Sequence, residues 1–112
     1  MDYGFPNDGK FRYTISNEGK LVARIDVDYG TEEVEYRTMP DIQWYELPFG
    51  IKESVTMEEF KEFMLNRTFD RKFSGLKNVM AENNATSLYD LIIKFKGTKA
   101  TDDMEVTCDR IQ

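Results

Sequence analysis

Residues 11–37 read F-R-Y-T-I-S-N-E-G-K-L-V-A-R-I-D-V-D-Y-G-T-E-E-V-E-Y-R. Apolar and polar residues alternate through this stretch, and a period of two marks strands buried on one face. Phe11, Tyr13 and Ile15 share one side, with Arg12, Thr14 and Ser16 on the other. Ser16-Asn17-Glu18-Gly19 has turn chemistry, and Gly19 suits the left-handed position of a short hairpin loop. The next strand is expected to put Leu21, Ala23, Ile25, Val27 and Tyr29 inward and Val22, Arg24, Asp26 and Asp28 outward. Tyr29-Gly30-Thr31 turns again, and Val34 and Tyr36 return to the inner face while Glu33, Glu35 and Arg37 face water. An antiparallel meander with one apolar face needs a cover.

The cover is supplied by the second half of the chain. Residues 41–49, D-I-Q-W-Y-E-L-P-F, are expected to add an edge strand ended by Pro48. V-T-M-E-E-F then marks a helix start, with Thr56 as N-cap, Glu59 closing a capping box and Val55 stapling against Phe60. Met57, Phe60, Phe63 and Met64 form its apolar stripe. A second helix is expected within residues 70–82, with Phe73, Leu76, Val79 and Met80 inward. Ser87 and Asp90 repeat the capping logic for a third, whose Leu88, Leu91, Ile92 and Phe95 recur at helical spacing until Gly97 stops it. Residues 104–108 return as a short strand. The expected fold class is α+β, a single domain over residues 1–112 in which an N-terminal antiparallel meander packs against three short helices.

Composition narrows the function. Charged residues make up 32% of the 112 residues and hydrophobic ones 40%, the proportions of a globular domain. There is no histidine and one cysteine, Cys108, so the usual neutral-pH base, Ser–His and Cys–His pairs and thiolate zinc sites are excluded. No cofactor signature is present, and neither a cofactor nor catalysis is expected. The N-terminus M-D-Y-G-F-P-N-D-G-K lacks the order of a signal peptide and no apolar run is long enough to span a bilayer, so a cytoplasmic location away from membranes is expected. The net charge of −6 is concentrated early, with 11 acids against 6 bases in residues 1–55 and 10 against 9 afterwards. Direct nucleic-acid binding is therefore disfavoured.

Three groups of residues are candidates for a site. The run D-V-D-Y-G-T-E-E-V-E, residues 26–35, holds five carboxylates and no base. Asp26, Asp28, Glu33 and Glu35 can imitate the phosphates of a nucleic acid and meet a basic protein surface. A metal site at Asp26 and Asp28 is the weaker alternative, and a solubilising face neutralised by Arg12, Arg24 and Arg37 is the plain one. Trp44 and Tyr45 are read first as core beneath the helices, and second as interface anchors, since neighbours on a strand point opposite ways. Arg67 and Arg71 flank Phe69 at the break between two helices. Their first reading is a joint tied locally through Asp70, and their second a grip on an anionic partner. Asp102-Asp103 reads as loop chemistry, the sequons at Asn66 and Asn84 as accidental, and Cys108 as a small buried residue.

The segment E-F-M-L-N-R-T-F-D-R, then a helix, L-Y-D-L-I-I-K and K-G-T-K-A-T-D-D-M-E-V, resembles a group of small proteins from phages and mobile elements of Gram-positive bacteria. Their pattern is F-L-x-x-R-x-F-P-x-x-R, two short helices, then T-x-G-x(4)-D-D and an aromatic. The resemblance spans residues 59–106, with Asp70 in place of the proline and Met104 in place of the aromatic. It implies a mobile-element context, and the group has no established enzymatic role to carry over. With the acidity, small size and aromatic content, it leads to the expectation of a non-enzymatic inhibitor of a host nucleic-acid-targeting defence enzyme. Such an inhibitor works as anti-CRISPR proteins do, on a partner with a basic nucleic-acid-binding surface such as a Cas nuclease. The alternative is a small regulatory or nucleic-acid-binding module using Arg67, Arg71, Lys72 and Lys77.

Overall fold

The computed structural model describes residues 3–50, 52–67, 74–99 and 102–111. Strands β1 (Lys10–Asn17), β2 (Lys20–Asp28) and β3 (Glu33–Thr38) form the meander. Helices α1 (Met57–Leu65), α2 (Leu76–Glu82) and α3 (Leu88–Lys94) follow, and β4 (Met104–Arg110) returns to the sheet. The fold is α+β, and its sheet is antiparallel throughout in the order β3-β2-β1-β4.

The β1–β2 turn is a two-residue loop, Glu18-Gly19, with φ of 53° and 79°. Two successive positive φ values give the primed turn whose twist matches the strands it joins. Beyond it a bulge changes the side-chain parity. Ser16 pairs with Leu21 but Ile15 pairs with Ala23, which leaves Val22 as the extra residue. Val22 and Ala23 therefore both point inward and are fully buried, whereas Leu21 is half-exposed. The strict alternation expected across Leu21 and Val22 is thus reversed at this point. Farther along, Ile25, Val27, Tyr29 and Tyr36 are buried as the pattern requires.

Helix α1 opens with the full capping box: Thr56 Oγ1 accepts the Glu59 N–H, and Glu59 Oε1 accepts the Thr56 N–H, both at 3.1 Å. Val55 and Phe60, on either side of that cap, are both buried. Phe60 and Met64 reach the core with no exposed surface, joined by Leu65. Ser87 caps α3, accepting the Asp90 N–H at 3.0 Å, and Leu88, Leu91 and Ile92 fill the core from above. Helix α2 is peripheral: Leu76, Val79 and Met80 are only half-buried. The chain leaves α3 through Lys96 and Gly97, both at positive φ. A Cβ on Gly97 would lie 3.0 Å from the Val106 side chain, so position 97 is constrained both by its left-handed backbone and by the close approach of β4.

One expectation is corrected and another extended. Residues 41–49 add no strand: Trp44–Glu46 is a single 3₁₀ turn, with Gln43 and Glu46 forming the reciprocal cap. The fourth strand is β4, longer than the segment 104–108 and paired along β1 from Phe11↔Arg110 to Asn17↔Met104.

Candidate functional site

The outer face of the sheet follows directly from the register. Asp28 lies opposite Glu33, Asp26 opposite Glu35 and Arg24 opposite Arg37. Lys10, Arg12 and Thr14 flank them on β1. The four predicted acids, Asp26, Asp28, Glu33 and Glu35, are thereby brought together in two adjacent rows. They border, with Lys10 and Ile111, an open groove of about 410 Å³. That volume is within the range of ligand clefts, but carboxylate walls suit a cationic surface better than an apolar molecule.

Three of the acids have local partners. Arg12 grips Asp26 through two bonds, Nε to Oδ1 at 2.9 Å and Nη2 to Oδ2 at 3.1 Å, and that bonding holds the guanidinium more firmly protonated. Arg37 donates to Glu35 from the same strand. Asp28 Oδ1 accepts the backbone N–H groups of Gly30 and Thr31 and shapes the β2–β3 turn. Glu33 has no side-chain partner among the described residues. Arg12 and Arg37 thus temper the acidic face as its plain reading expects, while Arg24 has no bonded partner among the described residues. No group of three or more acidic or cysteine side chains is placed to hold a metal ion among the described residues.

Trp44 and Tyr45 are not core. The 3₁₀ turn turns both outward, 62% and 65% exposed, with their rings edge-to-face at 5.8 Å. Their turn is fixed to the β1–β2 hairpin by Asn17 Nδ2 donating to the Glu46 carbonyl at 3.2 Å and by the Lys20–Glu46 ion pair. The aromatic pair therefore sits at the opposite end of the strands from the acidic rows. The six residues from Lys20 to Asp26 span about 20 Å at ~3.3 Å each.

Arg67 is buried, with 4% of its surface exposed. Asp102 accepts from its Nη1 and Nη2 at 2.8 and 2.7 Å, while the expected tie through Asp70 lies outside the described residues. Nε donates to the Gly97 carbonyl at 2.8 Å and Nη2 also to the Met104 carbonyl, while the Phe63 ring lies against the guanidinium. At least four of the five guanidinium N–H groups are occupied. A residue so enclosed is a joint, and it offers nothing to an anionic partner. Arg71, Lys72, Phe69, Asp70 and Phe73 lie outside the described residues. Asp102 does shape a loop, accepting the Met104 N–H, but its larger role is the clamp. Hydrogen bonds from Arg67 hold its carboxyl below the ordinary carboxylate range. The clamp unites Phe63, Arg67, Gly97 and Asp102, positions quoted above for the mobile-element pattern, so in this chain those letters encode a tertiary contact.

One buried polar cluster has no counterpart in the periodicity. Tyr13 Oη lies 2.7 Å from Tyr29 Oη and 2.6 Å from Tyr89 Oη, and Tyr89 Oη is 3.8 Å from Cys108 Sγ. Burial raises all three phenols and the thiol, so the cluster is neutral at ordinary pH and Cys108 is not a thiolate nucleophile. Tyr13 and Tyr29 were legible as inward residues, whereas Tyr89 stands outside the α3 stripe and carried no signal.

No protein-family model, curated protein or solved structure matches this chain. Among the described residues no helix is long and apolar enough to cross a membrane.

Proposed function

We propose that this chain is a non-enzymatic inhibitor that occupies a basic nucleic-acid-binding surface on a host defence enzyme, in the manner of anti-CRISPR proteins. The observation that carries the reading is the convergence of Asp26, Asp28, Glu33 and Glu35 into two adjacent rows around one groove on an open sheet face. Successive rows on one face are two residues apart, roughly 6.7 Å, about twice the 3.4 Å rise per phosphate along one strand of a duplex. Trp44 and Tyr45, exposed at the other end of the sheet, supply a second point of attachment of the type favoured in interface hot spots. The resemblance to phage and mobile-element proteins supports the same setting, with the bacterial host cytoplasm as its place of action.

The alternative of a nucleic-acid-binding module loses its central residue, because Arg67 is enclosed. The deciding experiment measures inhibition of a Cas nuclease by the wild-type chain and by Asp26→Asn/Asp28→Asn/Glu33→Gln/Glu35→Gln. One-to-one inhibition that weakens with salt and disappears in the quadruple variant is the expected result. Equal inhibition by the folded variant would overturn the use of the acidic face.

A further inference from the structure

The two edges of the sheet are finished differently. On the β4 side the outward Val106 N–H is taken up by the Lys96 carbonyl at 2.6 Å. On the β3 side the bond from the Met39 N–H to the Val22 carbonyl fixes the phase of the ladder. Ala23 and Thr38 form a non-hydrogen-bonded pair, and by alternation the backbones of Glu33, Glu35 and Arg37 bond to β2. The N–H and C=O groups of Val34, Tyr36 and Thr38 therefore point away from the sheet. None of them has a backbone partner there among the described residues.

The side chains along this edge carry a second peculiarity. Strands β2 and β3 set like charges opposite one another three times in succession: Asp28 with Glu33, Asp26 with Glu35, and Arg24 with Arg37. Like charges facing across a ladder are unfavourable. Within one molecule Arg12 offsets Asp26 and Arg37 offsets Glu35 on its own strand, and pairing along the β3 edge adds opposite charges across a new ladder by setting Glu35 of one molecule against Arg37 of another. We propose that β3 pairs antiparallel with β3 of a second copy of this chain, in the register that places Tyr36 opposite Tyr36 of that copy.

In this register Val34 faces Thr38, and the edge groups of Val34, Tyr36 and Thr38 make the inter-chain hydrogen bonds. Glu35 and Arg37 fall in the non-hydrogen-bonded pairs, where side chains approach most closely. Each Glu35 meets an Arg37 of the second copy, twice by symmetry, as a two-fold interface demands. Sliding the strands by two residues in either direction sets Glu35 against Glu35 or Arg37 against Arg37, so charge selects the register. Charges on an edge strand normally deter pairing. The order E-V-E-Y-R reverses that effect, because an antiparallel partner presents its signs in the opposite order. The proposal does not rest on the inhibitor reading; it engages Glu35 and leaves the Asp28/Glu33 row of each copy open at the two ends of the joined sheet.

Sedimentation equilibrium on the wild-type chain, over a range of protein and salt concentrations, should show a monomer–dimer equilibrium that salt weakens. Glu35→Arg alone and Arg37→Glu alone each place like charges at both contacts and should be monomeric. Mixed one-to-one, the two variants restore both pairs and should form a heterodimer. A wild-type chain that stays monomeric throughout, single reversals that still associate, or a mixture that fails to pair would each overturn the proposal. Amide exchange on the wild-type chain gives a readout that needs no variant. The Val34, Tyr36 and Thr38 amides should gain protection with concentration, while those of Glu33, Glu35 and Arg37 are protected throughout. Exchange at the first three that ignores concentration would also overturn it.

Discussion

Arg67–Asp102 and Arg12–Asp26 are the same pair in chemistry and different in consequence. Each is a two-bonded guanidinium–carboxylate contact with distances near those of ideal charge-assisted bonds. The Arg12 and Asp26 side chains are 41% and 26% exposed, whereas Arg67 is 5% exposed and Asp102 33%. Water screens the first pair and can replace either partner. Behind the sheet Arg67 also satisfies the carbonyls of Gly97 and Met104, so its removal would leave acceptors that water reaches poorly. Surroundings, more than bond geometry, decide how strongly an ion pair holds a fold.

The largest effect expected from this contrast is that of Arg67→Met, a loss of about 3 kcal/mol of stability, the magnitude found when one partner of an enclosed pair is removed. Urea denaturation read by circular dichroism measures it, and a loss equal to that of Arg12→Met would erase the distinction. Asp102→Asn should be milder, about 2 kcal/mol at neutral pH, because it keeps a weaker acceptor for Arg67. The same variant sharpens the contrast through pH. The folded-state value of Asp102 is depressed below its ordinary 3.8, so its contribution is complete above that value and is lost as pH falls through the depressed one. Stability of the wild type should fall along that acid limb, and Asp102→Asn should flatten it.

Tyr13→Phe tests an uncharged buried network by the same standard. Removing the hydroxyl that lies between Tyr29 and Tyr89 should lose about 1.5 kcal/mol, since both neighbours are left short of a partner. Burial raises all three phenols, so their contribution is intact below the unfolded value near 10 and is lost as pH rises above it. Alkaline unfolding followed by tyrosinate absorbance should be steep in the wild type and shallower in Tyr13→Phe. The smallest effect is that of Arg12→Met, well below that of Tyr13→Phe and reduced further by salt. A larger loss would mean that the outer face contributes more to the fold than its exposure implies.

Periodicity captured what is local. The alternation of Tyr13, Ile15, Ile25 and Val27 placed the inner face, and T-M-E-E placed the start of α1. It failed at Val22, because a bulge adds one residue to one strand and inverts the parity that alternation assumes. It failed again at Trp44 and Tyr45, where the reciprocal Gln43–Glu46 cap favours a tight turn over extension. Arg67 and Asp102 lie 35 residues apart, and nothing in either neighbourhood announces the other. The acidic rows were legible as a composition, but their convergence needed the β2–β3 register, which the turn at Tyr29–Glu32 sets.

The sheet order has a consequence for how the protein is made. Strand β1 lies between β2 and β4, and Thr14 meets Thr107 across a separation of 93 residues. During synthesis the β1–β3 meander emerges from the ribosome long before β4. Throughout that interval β1 is an uncovered edge, with Tyr13 and Ile15 awaiting the neighbour that completes their enclosure. Contacts so distant along the chain close slowly, and a nascent chain stalled before residue 104 presents a bare strand that chaperones, or another copy's edge, can reach first.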